Sequence, residues 1–274
     1  MRPQRFFPLI ILLFVVVLAV VPAAGQDAST EEPIPDDAEP AWDGTLRRIR
    51  VPILMYHYVS PLPPNADQFR VELTISPEAF RAHAEYLFFE GYSTISFYQL
   101  NEALLNGLPL PPKPIILTFD DGYIDHYTNV LPTLQERGFT ATFFIITGLV
   151  DAADPAYLSW EQIQEMAAAG MDIEPHTKNH LSLREREYDF LVYEMLGSIE
   201  SLRAYLGRTP HILAYPVGQF DEETLTVARQ LPIWRAVTTQ PGRYHTTDNR
   251  LELDRVRITG GMSAAGLASL LNSE

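Results

Sequence analysis

Seven short apolar runs, separated by stretches of helical periodicity, constrain this chain more than any other feature. They cover residues 53–56, 115–119, 141–145, 171–174, 212–214, 236–238 and 256–258. Each is too short for a buried helix and is bounded by turn formers, so each reads as a strand. Ser76 followed by Pro77 starts a helix that stops at Gly91, with Phe80, Leu87 and Phe88 on its apolar side. Ser159 with Gln162 makes a capping-box pattern, and Gly170 closes that helix. A third helix covers about residues 188–206 and ends at Gly207. Strands that alternate with helices pair in parallel, and seven such units predict an α/β barrel. In barrels of this kind the chemistry sits at the C-terminal ends of the strands.

Composition narrows the function classes. The 274 residues suffice for one large domain, and a hydrophobic content of 46% supports a sizeable core. Cysteine is absent, which excludes disulfides, zinc-thiolate sites, a cysteine nucleophile and a lipid-modified cysteine. A net charge of −15 serves solubility and argues against a general affinity for nucleic acid, whose phosphates require Lys and Arg. No internal repeat recurs at a fixed period.

The first residues look like an export signal. Arg2 and Arg5 precede an apolar run from Phe6 to Val21, followed by Pro22, Ala23, Ala24 and Gly25. Residues 1–25 therefore read as a signal peptide or, given the length of the run, an uncleaved membrane anchor. Either delivers the remainder outside the cytoplasm, secreted, at the cell surface or anchored, with membrane contact only through this segment. Residues 26–49 alternate acidic side chains with Pro33, Pro35 and Pro40 and read as a flexible linker. Residues 50–274 form the folded domain.

Two motifs carry the chemistry. The run 115–119 leads directly into Asp120-Asp121-Gly122 at its C-terminal end. Adjacent carboxylates repel, and both stay ionised only beside a positive charge such as a divalent metal. One can bind that metal while its neighbour takes a proton from water. Alone, Asp-Asp-Gly is also an ordinary turn. The run 171–174, however, leads into Pro175-His176-Thr177-Lys178-Asn179-His180, whose two histidines four apart can face one side of a turn. A carboxylate and two imidazoles leave positions open for water and substrate, the arrangement of a catalytic metal site. The same trio also describes ferrous oxygenases, whose usual all-β scaffold this pattern does not resemble.

Thr118-Phe119-Asp120-Asp121-Gly122 and His176-Thr177-Lys178-Asn179-His180 resemble the first two motifs of the NodB-homology polysaccharide deacetylases, carbohydrate esterase family 4. Lys113-Pro114, Ala141-Thr142-Phe143-Phe144 and the stretch from Trp160 to Gly170 agree with that resemblance, which covers roughly residues 50–260. It implies a distorted (β/α) barrel of about seven strands, with Asp120 as general base. It also implies that Asp121, His176 and His180 hold a divalent metal: zinc first, with cobalt, nickel or ferrous iron as alternatives. Two departures matter. No histidine follows His245, where many members carry a catalytic acid in a Leu-x-x-His motif. Val51-Pro52-Ile53-Leu54-Met55-Tyr56-His57 instead resembles the opening strand of a circularly permuted branch that includes biofilm poly-N-acetylglucosamine deacetylases, and that resemblance assigns the acid role to His57. Ala214-Tyr215-Pro216-Val217-Gly218 lies where many relatives have Arg-x-Pro-Tyr-Gly. Ala214 cannot orient the base, so Arg255 is the candidate replacement. The resemblance places the family's backbone donor to the oxyanion among Tyr215, Pro216 and Val217.

The expected activity is hydrolysis of N-acetyl groups on an N-acetylglucosamine-containing polysaccharide by metal-activated water. The alternatives are an O-acetyl-polysaccharide esterase or small-amide hydrolase using the same site, and a non-catalytic carbohydrate-binding homologue. His126 reads as a helix-surface residue, His83 as a helix-face residue, and His211 and His245 as loop residues. Tyr123, Tyr127, Trp160 and Tyr215 can stack on sugar rings or pack within the protein.

Overall fold

Seven parallel strands form a nearly closed barrel in the computed structural model, which describes residues 38–273. They are β1 (Ile53–Tyr56), β2 (Pro114–Phe119), β3 (Thr142–Ile145), β4 (Asp172–Pro175), β5 (Ile212–Ala214), β6 (Arg235–Pro241) and β7 (Leu253–Arg257). The hydrogen-bonded order is β4-β3-β2-β1-β7-β6-β5, so strands that follow in sequence lie side by side all the way round. The bounds of β1 and β5 are those expected from sequence, and the others shift by a few residues.

The ladder is interrupted between β4 and β5, and side chains span the gap. The Glu174 carboxylate on β4 accepts the backbone N–H groups of His211 (2.9 Å) and Ile212 (2.8 Å). Above it, a ring nitrogen of His176 meets the Ala214 carbonyl at 2.8 Å. An edge strand exposes unpaired backbone groups, and here a buried carboxylate and an imidazole satisfy them.

Alternation along the strands then sets the contents of the barrel. Ile53, Ile116, Phe144, Ile212, Ala214, Val237 and Leu253 share one buried cluster, joined by Phe97, Leu100 and Leu104 of the helix Phe97–Asn106. Two-residue steps from these positions lead to His57, Asp120, Arg255 and Arg257, and on β4 the same step leads from Glu174 to His176. Neighbouring positions such as Leu54, Tyr56, Leu117, Phe119, Phe143 and Ile145 pack instead in the cluster shared with the surrounding helices. Side-chain caps fix where those helices begin. Ser76 accepts from Ala79 N ahead of Pro77, and Ser96 and Ser159 form complete capping boxes with Gln99 and Gln162. Each such cap contributes about 1 kcal/mol.

The folded domain extends further towards the N-terminus than residue 50. Arg48–Arg50 pairs antiparallel with Tyr244–Thr246, and Glu39 bridges Arg235 (3.3 Å) and Arg250 (2.8 Å). Residues 38–49, expected as part of a flexible linker, are therefore held on the domain, by Glu39 on Arg235 and Arg250 and by the strand Arg48–Arg50. The expected signal or anchor segment lies outside the described residues. Among the described residues, no helix is long and apolar enough to cross a membrane.

Candidate metal centre and active site

The loops leaving β1, β2, β4, β5 and β7 converge on one cavity of about 470 Å³. Its walls include His57, Asp120, Asp121, His176, His180, Val217 and Arg257. Asp121 and Gly122, at the end of β2, both have positive φ (77° and 76°), which turns the chain sharply away from the strand. A non-glycine residue in that region costs about 1–3 kcal/mol, and Thr177, His180 and Val217, on the other loops of the cavity, share the same left-handed backbone. Such strain persists only where surrounding structure holds it.

The histidine loop is held by groups that sequence reading missed. Glu194, fully buried on the helix Tyr188–Leu206, accepts from Asn179 N at 2.8 Å and Asn179 Nδ2 at 2.7 Å. Gly148 N donates to Lys178 O at 2.7 Å. A Cβ on Gly148 would stand 2.5 Å from that same oxygen, so only glycine fits. Glu194 was visible in principle, as a carboxylate inside the apolar stripe of Leu191, Met195, Ile199 and Leu202.

Asp121, His176 and His180 bring one carboxylate oxygen and two ring nitrogens within 4.8 Å of one another. Asp121 Oδ1 lies 3.4 Å from His176 Nε2 and 3.3 Å from His180 Nε2. It is buried and has no hydrogen-bond partner. Two donors about 2.0 Å from a tetrahedral ion stand roughly 3.3 Å apart, so the three groups fit a divalent cation in both chemistry and spacing. With its Nδ1 facing the Ala214 carbonyl, His176 is oriented with Nε2 towards Asp121. Burial and the charge of His176 push the His180 pKa down to about 4, leaving a neutral ring with a free lone pair at neutral pH. Burial alone would raise Asp121, but the neighbouring imidazoles hold it well below the ordinary carboxylate range.

Asp120 is held differently. Arg255 Nη1 and Nη2 each donate to one of its oxygens at 2.7 Å, a planar two-pronged contact. Arg255 is itself buried, with Nε donating to Thr238 O and Nη1 to Thr118 Oγ1. Burial favours protonation of Asp120, but Arg255 outweighs it and keeps the carboxylate ionised. His57 Nε2 stands 3.9 Å from Asp120 Oδ2 on the other side. Burial lowers the pKa of His57, against the pull of both carboxylates.

Among the three residues expected to supply an oxyanion donor, only Val217 has an amide to offer. Tyr215 N already donates to Val237 O at 3.2 Å, and Pro216 has no N–H. The Tyr215 ring is fully buried and stacks on Phe220 at 4.6 Å, so it offers no face to a sugar. Trp160 stacks on Tyr205 at 3.9 Å, whereas Tyr123 stacks on Tyr58 at 3.7 Å beside the cavity.

Two histidines differ from expectation. His126, expected on a helix surface, is fully buried, and its Nε2 donates to His57 O at 2.7 Å. Residues 126–130 form a π-helical turn that aims the ring inward under His57. His245, expected in a loop, lies on the strand Tyr244–Thr246 with Nε2 on Val51 O at 2.9 Å. His83 occupies the buried face of Pro77–Phe89, and His211 sits just before β5.

Known proteins resemble this chain in sequence and in fold. The family model for polysaccharide deacetylase matches residues 107–235. The chain is 31% identical to the putative polysaccharide deacetylase YxkH of Bacillus subtilis, over 98% of this chain and 99% of that one. It is 32% identical to the poly-beta-1,6-N-acetyl-D-glucosamine N-deacetylase of Escherichia coli, over 54% of this chain and 28% of that longer protein. The structure of the Streptococcus pyogenes deacetylase PplD in complex with acetate matches 83% of this chain and all of its own, with a TM-score of 0.76 and 32% identity.

Proposed function

Since the chain belongs to the polysaccharide deacetylase family, we propose that it is an exported, metal-dependent enzyme removing N-acetyl groups from an N-acetylglucosamine-containing polysaccharide. The observation that carries this reading is the pairing of an ionised, arginine-clamped Asp120 with the adjacent Asp121, His176 and His180 cluster. A binding module has no use for a base fixed beside a cation site. The N-acetyl preference draws on the similarity to the Escherichia coli enzyme, and export draws on Arg2, Arg5 and the apolar run after them.

Asp121, His176 and His180 would hold the metal, most simply zinc. When bound, a divalent ion there supplies Lewis acidity, polarising a carbonyl oxygen and making hydroxide available near neutral pH. The remaining steps fall to this chain's own side chains. Asp120 accepts the proton of the attacking water, and Arg255 keeps its carboxylate ionised and aimed. The Val217 N–H donates to the oxygen of the tetrahedral intermediate; loss of one such donor costs about 10²–10³ in rate. His57 protonates the departing amine at nitrogen, with Asp120 beside it supporting the imidazolium. A positioned acid of this kind contributes on the order of 10²–10⁴. His126 acts one step removed, fixing the backbone from which His57 projects.

Acetate release tests the proposal, with chitin oligomers, poly-β-1,6-N-acetylglucosamine and acetylated xylan offered to chelator-treated and zinc-restored protein. Zinc-dependent release from the N-acetylated glycans is expected. Release from xylan alone would make the enzyme an O-acetyl esterase, and undiminished activity after metal removal would overturn the metal assignment.

A further inference from the structure

β6 does not run in step with the strand beside it. Val237 pairs with Leu253 and Pro241 with Arg255, so four residues of β6 advance against two of β7. In a regular ladder Thr239 would stand opposite Arg255, but residues 238–240 bulge out of the pairing instead. Bulges bend a strand locally and re-aim its side chains, and they recur beside active sites. The Thr238 hydroxyl closes this one, accepting from Gln240 N at 3.0 Å and donating to Leu253 O at 3.4 Å.

The bulge meets the active site at two points. The Thr238 carbonyl accepts Arg255 Nε at 2.8 Å, and Arg255 in turn clamps Asp120. One residue on, Thr239 lines the catalytic cavity and presses against Gly218. A Cβ on Gly218 would overlap Thr239 Oγ1 and stand 3.0 Å from Thr239 Cβ and Cγ2. The turn that contains Gly218 therefore lies directly against this one side chain.

That turn also carries the spare amide of Val217. Val217 is β-branched yet sits at φ 50° and ψ 15°, a conformation such residues seldom adopt without outside support. Two backbone bonds close the turn, from Gly218 N to Tyr215 O at 2.9 Å and from Gln219 N to Pro216 O at 3.0 Å. Both lie within residues 215–219, so neither fixes the turn against the barrel. Its start is tied down by Tyr215 N on Val237 O, and its far side rests on Thr239. An oxyanion donor acts only at about 2.7–3.1 Å from the developing charge, so a small tilt of the turn is enough to waste it.

We propose that Thr239, delivered by the β6 bulge, is a positioning residue that holds the Val217 N–H at the oxyanion. Thr239 acts by filling the space beside Gly218, not by touching the reacting atoms. The proposal rests on the deacetylase mechanism above.

The test measures kcat and KM on N-acetylglucosamine pentamer for Thr239→Ala, which removes the side-chain atoms beyond Cβ, and Thr239→Val, which keeps their shape. For Thr239→Ala, kcat should fall about tenfold, short of the 10²–10³ for outright loss of a donor, with KM unchanged. Thr239→Val should recover most of the loss. The acidic limb of the pH–rate profile, which reports Asp120, should stay where it is in both variants. An unchanged kcat in Thr239→Ala overturns the proposal. So does an equal fall in Thr239→Val, which would make the hydroxyl itself the active group, or a shifted acidic limb, which would mean collapse of the whole bulge. Hydrogen–deuterium exchange separates the positioning role from the activity. Faster exchange confined to residues 215–219 in Thr239→Ala, restored in Thr239→Val, supports it even if wild type releases no acetate from any N-acetylated glycan and only the proposed activity fails. Unchanged exchange there overturns it.

Discussion

Two buried carboxylates inside the barrel, Asp121 and Glu174, are fully or nearly shielded from solvent yet are provided for in opposite ways. Glu174 takes hydrogen bonds from Tyr98 Oη, His211 N and Ile212 N, and Arg208 Nη1 lies 3.3 Å away. Asp121 Oδ1 has no hydrogen-bond partner and faces two imidazole nitrogens at distances suited to an intervening ion. Burial raises the pKa of Glu174 to about 7, while the histidines around Asp121 lower its pKa despite burial. Saturation with internal donors makes a carboxylate part of the scaffold. Denying it those donors, one layer higher in the same barrel, makes it a ligand. The two layers are coupled, because the seam that Glu174 closes also leaves the Ala214 carbonyl free to orient His176.

The most severe break in this contrast comes at Asp120. Asp120→Asn removes the proposed base while leaving Asp121, His176 and His180 in place, so activity should fall by about 10²–10⁴ with bound metal retained. It also leaves Arg255 buried without its anion, a loss of about 3–5 kcal/mol that a thermal melt would register. Acetate release and metal content, measured on the same preparation well below the melting point, check both halves. Retained turnover would remove Asp120 from the mechanism.

Glu174→Gln should show the reverse pattern. An amide in that position turns an N–H group towards neighbours that are themselves donors, which costs about 1–3 kcal/mol. The melting temperature should drop by several degrees, with kcat/KM within a few-fold of wild type. Loss of activity larger than the loss of stability would mean that Glu174 takes part in more than closing the seam.

Local pattern exposed much of this design and hid a definite remainder. The seven strands and the position of the two motifs at strand ends follow from short-range periodicity, whereas Arg255 was reached through the family resemblance, as the replacement for an arginine that Ala214 does not supply. His126 and Glu39 were misread because their partners are far away in sequence. The bond from His126 to His57 spans 69 residues and exists only after β1 pairs with β2. Glu39 sits in a segment whose composition resembles a tether, and its contacts with Arg235 and Arg250 depend on how β6 closes the barrel. The spare amide of Val217 was legible only as a three-residue window, because which N–H enters the ladder depends on the register of β5 against β6.

The smallest predicted effect concerns the base of the barrel, where His245 carries burial without function. Its Nε2 meets Val51 O, while its Nδ1 is buried without a partner, and burial pushes the pKa down to about 4. Between an ordinary histidine value near 6.5 and this folded value, the unfolded chain binds a proton that the folded chain does not. Stability from this group is therefore full above about pH 6.5 and is lost progressively as pH falls towards 4. Between pH 7 and pH 5.5 the loss is about 1 kcal/mol, equivalent to roughly 2–4 °C in melting temperature for a domain of this size. His245→Gln should flatten that part of the pH–stability curve by about one proton and leave kcat/KM at pH 7 unchanged. An unaltered slope would mean that His245 is protonated inside the fold, and a change in turnover would mean that the two ends of the barrel are less independent than their hydrogen bonding suggests.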